Sequence, residues 1–128
     1  LFSVLAGRAA YRALRGRLLA NRAARRRVLI VGSGQSFHNM SGFFGGGFEE
    51  PSREFDVWLN ETCAGVEPKA RSERLRNWTA APSARAIHPR AEHLAPLFVT
   101  VGAAEDDPGE QIFSDVVLNL AMSGYAFG

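Results

Sequence analysis

Three histidines and their neighbours are where chemistry could reside in this chain. His38 closes the run Gly32-Ser-Gly-Gln-Ser-Phe-His38-Asn39, which follows directly on the apolar residues 28–31. An imidazole delivered by a small-residue turn at the carboxyl end of a strand can serve as general acid/base or as metal ligand. The same position also suits a histidine that merely caps a turn. His88 and His93 bracket Pro89-Arg-Ala-Glu92, with Pro96 just beyond. Residues five apart do not share a helix face; a zincin-type pair needs a spacing of four. His88 is therefore expected to end the preceding segment and not to be a ligand. His93 is expected to project from a helix, with Glu92 free to orient a neighbour or face solvent. A catalytic metal wants about three protein ligands and open positions. His38 and His93 are the credible donors, which leaves at least one ligand unaccounted for.

Two other motifs overlap the first run and are weak. Gly32-x-Gly34 begins like a dinucleotide fingerprint, but Phe37 stands where the third glycine belongs. Glu54 is about far enough on, but it lies in a loop-to-helix stretch and not at a strand end. Gly34-x-Ser36-x-His38 resembles a nucleophile elbow, which would make Ser36 a serine-hydrolase nucleophile. His38 replaces the elbow's second glycine, however, and crowds the sharp turn. Ser36 is expected not to be a nucleophile.

Elements of alternating type must position these groups. Residues 1–26 have an apolar set at Val4, Leu5, Tyr11, Leu14, Leu18 and Leu19, mostly on one helical face. Residues 28–31 read as a buried strand, being wholly apolar and mostly β-branched. A glycine-rich aromatic loop follows from Gly32 to about Pro51; long loops in compact domains tend to be functional. A helix is expected from Ser52, with Phe55, Trp58 and Leu59 on one face, and a second from Pro68 to about Trp78. Ala80-Ala81-Pro82 breaks the pattern. Pro89 suits a first helical position, which predicts a helix carrying His93, Leu94, Leu97 and Phe98 with a kink near Pro96. Asp106-Asp107-Pro108-Gly109 is a turn, and residues 111–127 are strand-prone. The expected class is α/β: a partial layered sheet flanked by helices, in one domain over 1–128.

Charge is uneven. Residues 1–27 carry eight arginines and no acid, and the rest of the chain is net acidic. A basic end raises nucleic acid, an anionic membrane or a targeting peptide. No zinc-finger spacing or RNP motif accompanies it, so no nucleic-acid partner is expected. A solvated helix face is the simplest account, with organelle targeting kept open. Cys63 is alone, so no internal disulfide forms. No apolar run reaches the ~20 residues of a membrane helix, and a cytoplasmic location is expected.

The histidine-bearing runs also carry a resemblance. Val28-Leu-Ile-Val-Gly-Ser-Gly-Gln-Ser-Phe-His38-Asn-Met40 resembles the strand-to-histidine motif of class III extradiol dioxygenases, LigB-like proteins of the DOPA-dioxygenase-like branch. The likeness continues through Arg53-Glu-Phe-Asp-Val-Trp-Leu59 and Trp78-Thr-Ala-Ala-Pro82-Ser-Ala-Arg85. It is sharpest at His88-Pro-Arg-Ala-Glu-His93-Leu-Ala-Pro-Leu97 followed by Val101-Gly-Ala-Ala104, and reaches Met122-Ser-Gly-Tyr-Ala-Phe-Gly128. The resemblance implies the C-terminal portion of a larger ring-opening dioxygenase domain. It implies that His38 is the acid/base beside a metal and also a ligand, and that His93 is a ligand. It implies Fe(II) or Zn(II) as the metal, and a catechol-type aromatic and O2 as substrates. The family's other two metal histidines come from an N-terminal half that this sequence does not contain. A fragment, a non-catalytic remnant, or a chain completed by another chain are the readings left, each inactive alone.

Overall fold

The structure, a computed structural model, describes residues 29–128. The elements in order are α1 (Met40–Gly45), α2 (Glu49–Ala64), α3 (Pro68–Arg76), a 3-10 turn (Trp78–Ala80), α4 (Ala84–Ile87), α5 (Ala95–Ala104), β1 (Gly109–Val117) and β2 (Leu120–Phe127). The class is mixed α/β. Among the described residues the sheet has two strands, paired antiparallel.

Helix α2 is the centre of the molecule. Glu49 and Glu50 in its first turn complement the positive end of the helix dipole, and Pro51 occupies a position whose N–H needs no partner. Phe55, Leu59 and Cys63 recur every four residues and are each at most 1% exposed. The same buried cluster contains Phe37 from the loop, Leu75 from α3, Ile87 from α4, Phe98 and Val101 from α5, and Leu120 from β2. Helix α3 starts on Pro68 and carries Arg74 and Arg76 in its last turn. Its buried Arg71 donates to the Glu105 carbonyl at 3.0 Å and lies over the Phe127 ring, so α3 is tied to the end of α5 and to β2.

Strands β1 and β2 are joined at Leu118-Asn119, both left-handed with φ of 52° and 64°. That is the geometry of a two-residue hairpin whose twist matches its strands. Serine hydroxyls tie β2 to the helical layer. Ser52 Oγ accepts from Ala121 N at 3.0 Å, and Ser36 Oγ accepts from Ser123 N at 2.8 Å.

Several expectations change. The predicted helix over 1–26 lies outside the described residues, as does Val28. Residues 29–31 are not a buried strand: they pair with nothing regular, and Leu29 and Val31 are 84% and 75% exposed. A β-branched apolar run forms a buried strand only where neighbours cover both faces, and no described strand flanks this one. The long loop contains α1, and α2 starts three residues before Ser52. The predicted helix from Pro89 begins only at Ala95, with Pro96 in its first turn where proline needs no kink. His93 therefore sits in a turn ahead of the helix rather than on it.

Candidate functional site

Residues 35–39 lie against residues 86–93 like two sides of a seam. Gln35 N donates to His93 O at 3.2 Å and His38 N to Ile87 O at 3.2 Å. Asn39 Nδ2 donates to Ala86 O at 2.6 Å, and the Asn39 side chain also accepts from Ser41 N, capping α1. The fourth stitch is a side chain: His88 Nε2 bonds the Ser36 carbonyl at 2.9 Å. Glycine makes the approach possible. A Cβ on Gly34 would collide with the His93 carbonyl oxygen, and one on Gly32 would stand 2.7 Å from the Pro96 carbonyl oxygen. The Gly32-x-Gly34 pair thus serves close backbone packing against the start of α5.

This seam brings His38 and His93 together. Their rings stack with centroids 3.4 Å apart and planes 16° from parallel. The His38 imidazole is held below its ordinary pKa, first by burial and next by the neighbouring His93, with Glu92 pulling the other way. The neutral form that a metal or a proton acceptor requires is thereby favoured. Glu92 itself is exposed and pairs with Arg90 at 3.1 Å.

His88 is placed apart from the pair's open side. It is fully buried, edge-on to Phe55 at 5.4 Å and to Trp78 at 6.2 Å. Burial drives its pKa down to about 4, against a smaller opposing pull from the Ser36 carbonyl. A carbonyl can only accept, so Nε2 carries the proton and His88 is a neutral donor. Ser36 Oγ accepts from the backbone of β2, and no described histidine nitrogen bonds it. Sequence reasoning missed a polar chain behind the seam. Gln111 Nε2 donates to Ser123 Oγ at 2.9 Å, and Ser123 Oγ donates to Asp56 Oδ1 at 2.6 Å. Burial raises the Asp56 carboxyl, and the Ser123 hydrogen bond opposes that. Single polar residues in amphipathic segments give no sequence signal of such a chain.

A groove of about 620 Å3 opens beside the pair, between residues 29–36, α5 and the hairpin. His93 stands in its wall among Ile30, Leu94, Leu97 and Ile112, with Ser36 and Ser123 as polar points.

The described residues do not make a complete metal site. They contain no cluster of three or more His, Cys, Asp or Glu side chains suited to an ion. Residues 1–28 add none of those types. In the stacked arrangement the lone pairs of the two rings lie in nearly parallel planes. A metal about 2 Å from both would sit roughly 60° out of each ring plane, if the nitrogens lie one above the other. The rings must splay before both could ligate one ion.

Over 102 residues, 77% of this chain, the sequence is 35% identical to a protein of Mirabilis jalapa named 4,5-DOPA dioxygenase extradiol. The chain spans 37% of that relative's length. No family model matches. The chain thus has a homologue named as an extradiol dioxygenase.

Proposed function

We propose that the chain is the His38- and His93-bearing part of an extradiol-type, ring-opening dioxygenase of the LigB-like kind. The observation that carries the reading is the stack of these two imidazoles. The sequence resemblance requires them in one site, although 54 intervening residues separate them. A relative named as an extradiol dioxygenase supports it at family level. In this reading His38 and His93, once splayed, would hold Fe(II) or Zn(II) through two neutral nitrogen donors, and the His38 imidazole would also accept and return a proton beside it. The remaining donors come from outside residues 1–128. The substrates are a small catechol-type aromatic and O2. The groove beside His93 falls within the roughly 300–1,000 Å3 of small-molecule sites.

By donor count the chain alone does not open rings, since non-haem Fe(II) oxygenases use three protein ligands on one face. Iron held by two would be lost to buffer. Two measurements test the reading. Residues 1–128, loaded anaerobically with Fe(II) and given DOPA and O2, should form no ring-cleavage product. Product that disappears in His38→Ala would show the chain to be a complete enzyme. In the second, this chain replaces the matching segment of the Mirabilis relative. The chimera should open the ring, and His38→Ala or His93→Ala should each lower the rate about 100-fold or more, as loss of a metal or proton-transfer group does. A folded chimera indifferent to both substitutions would remove the proposed function.

A further inference from the structure

We propose that His88 is a positioning residue: from inside the core it holds the Ser36 carbonyl, and so fixes the bend that presents His38 to His93. The proposal rests on reading the His38–His93 pair as the site, but its test reads the geometry of the pair and not metal or turnover.

Four features converge on it. The chain bends at Ser36, two residues before His38. Ser36 is gripped at two of its polar groups, the hydroxyl by Ser123 N at 2.8 Å and the carbonyl by His88 at 2.9 Å. The neighbouring backbone stitches, Gln35 N to His93 O and His38 N to Ile87 O, are longer at 3.2 Å. His88 is itself immobilised, being 0% exposed between Phe55 and Trp78.

A merely structural histidine has no reason to sit there. A buried imidazole must be stripped of water, and its Nδ1 finds no hydrogen-bond partner among the described residues. Phenylalanine would fill the same aromatic box without that cost. What phenylalanine cannot supply is the N–H aimed at Ser36. Backbone on both sides of the seam is bonded through residues next to the pair, so release of one carbonyl would be felt at the rings.

The test uses the full chain, isotope-labelled, by NMR. In the wild type, His88 should carry its proton on Nε2, slow to exchange, and His38 and His93 ring protons should show a mutual NOE. His88→Phe should keep a cooperative melt but lose that NOE at least threefold. His88→Gln restores an N–H donor and should recover it. A wild-type His88 protonated on Nδ1 overturns the proposal, as does a folded His88→Phe with the NOE intact. Should His88→Phe not fold, the wild-type tautomer and the Gln variant decide, and a folded Gln variant lacking the NOE counts against it. Failure here leaves the ring-opening reading standing, and an inactive chimera leaves this one standing.

Discussion

Residues 34–39 separate two flanks of the molecule that are built differently. On one side the backbone is stitched to residues 86–93, and behind it lies the core of Phe37, Phe55, Leu59, Ile87 and Leu94, with the buried His88. On the other, residues 29–31 and most of β1 stand in solvent. Leu29, Val31, Ile112 and Val116 are more than half exposed. The histidine pair belongs to the closed flank. Its geometry depends on packing and hydrogen bonds that the chain supplies for itself. The open flank offers apolar groups and a strand edge that no described strand covers, which is where a sheet accepts further strands.

The largest expected effect breaks the closed flank. Phe55 touches both Trp58 and His88 and is 1% exposed. Phe55→Ala should cost about 3–5 kcal/mol through lost burial and a cavity. Val116→Ser on the open flank should change stability by no more than about 0.5 kcal/mol. Urea melts compare them, and equal losses would mean that the hairpin contributes to the core as much as α2 does.

Acid should attack the same flank. The His88 pKa of about 4 lies below its ordinary 6.5, so between those values the unfolded chain binds more protons than the folded one. Stability then rises with pH, is complete above about pH 6.5, and is lost as pH falls toward 4. At 1.36 kcal/mol per pH unit the window is worth about 3 kcal/mol. Urea midpoints at pH 7 and pH 4.5 should show the loss in the wild type and much less of it in His88→Gln. A pH-independent wild type would mean that His88 is hydrated in solution.

How much of this was legible depended on whether a signal was local. Helix α2 was, because Phe55 and Leu59 repeat on one face, and so were the proline start of α3 and the strand-prone end. The pairing of His38 with His93 was anticipated from two motifs, although the reason given for His93, projection from a helix, was not the observed one. The exposure of residues 29–31 is not legible in their own sequence, because burial of a strand is a property of its neighbours. The role of His88 was illegible: its neighbour Pro89 indicated only that it would end a segment. The partner that matters, Ser36 O, is 52 positions away and is a backbone atom that every residue possesses.

Gly34→Ala is a finer probe of the seam. The added methyl collides with the His93 carbonyl and, nearby, meets Pro96 Cγ at 3.1 Å. The expected cost is about 1–3 kcal/mol, the range for overpacking. The His38–His93 NOE should weaken with it, because Gln35 N and His93 O must separate. A variant with unchanged stability and NOE would show the seam to be looser than its hydrogen bonds imply.

The smallest effect should come from the hairpin tip, and its sign is opposite. Leu118 and Asn119 both hold φ near +60°, where a side chain crowds its own backbone. Asparagine and glycine tolerate that region, and Asn-Gly is the preferred pair for this two-residue turn. Leu118 is 67% exposed, so removing its side chain forfeits little burial. Leu118→Asn combined with Asn119→Gly should therefore raise stability by about 0.5–1 kcal/mol, read as a higher urea midpoint with unchanged slope. The histidine NOE should not move, since the tip lies on the open flank and the pair is held from the closed one. A fall in stability would mean that Leu118 packs in solution. A gain accompanied by a changed NOE would show that the two flanks are mechanically coupled through the hydrogen bond from Ser123 to Ser36, which joins β2 to the loop bearing His38.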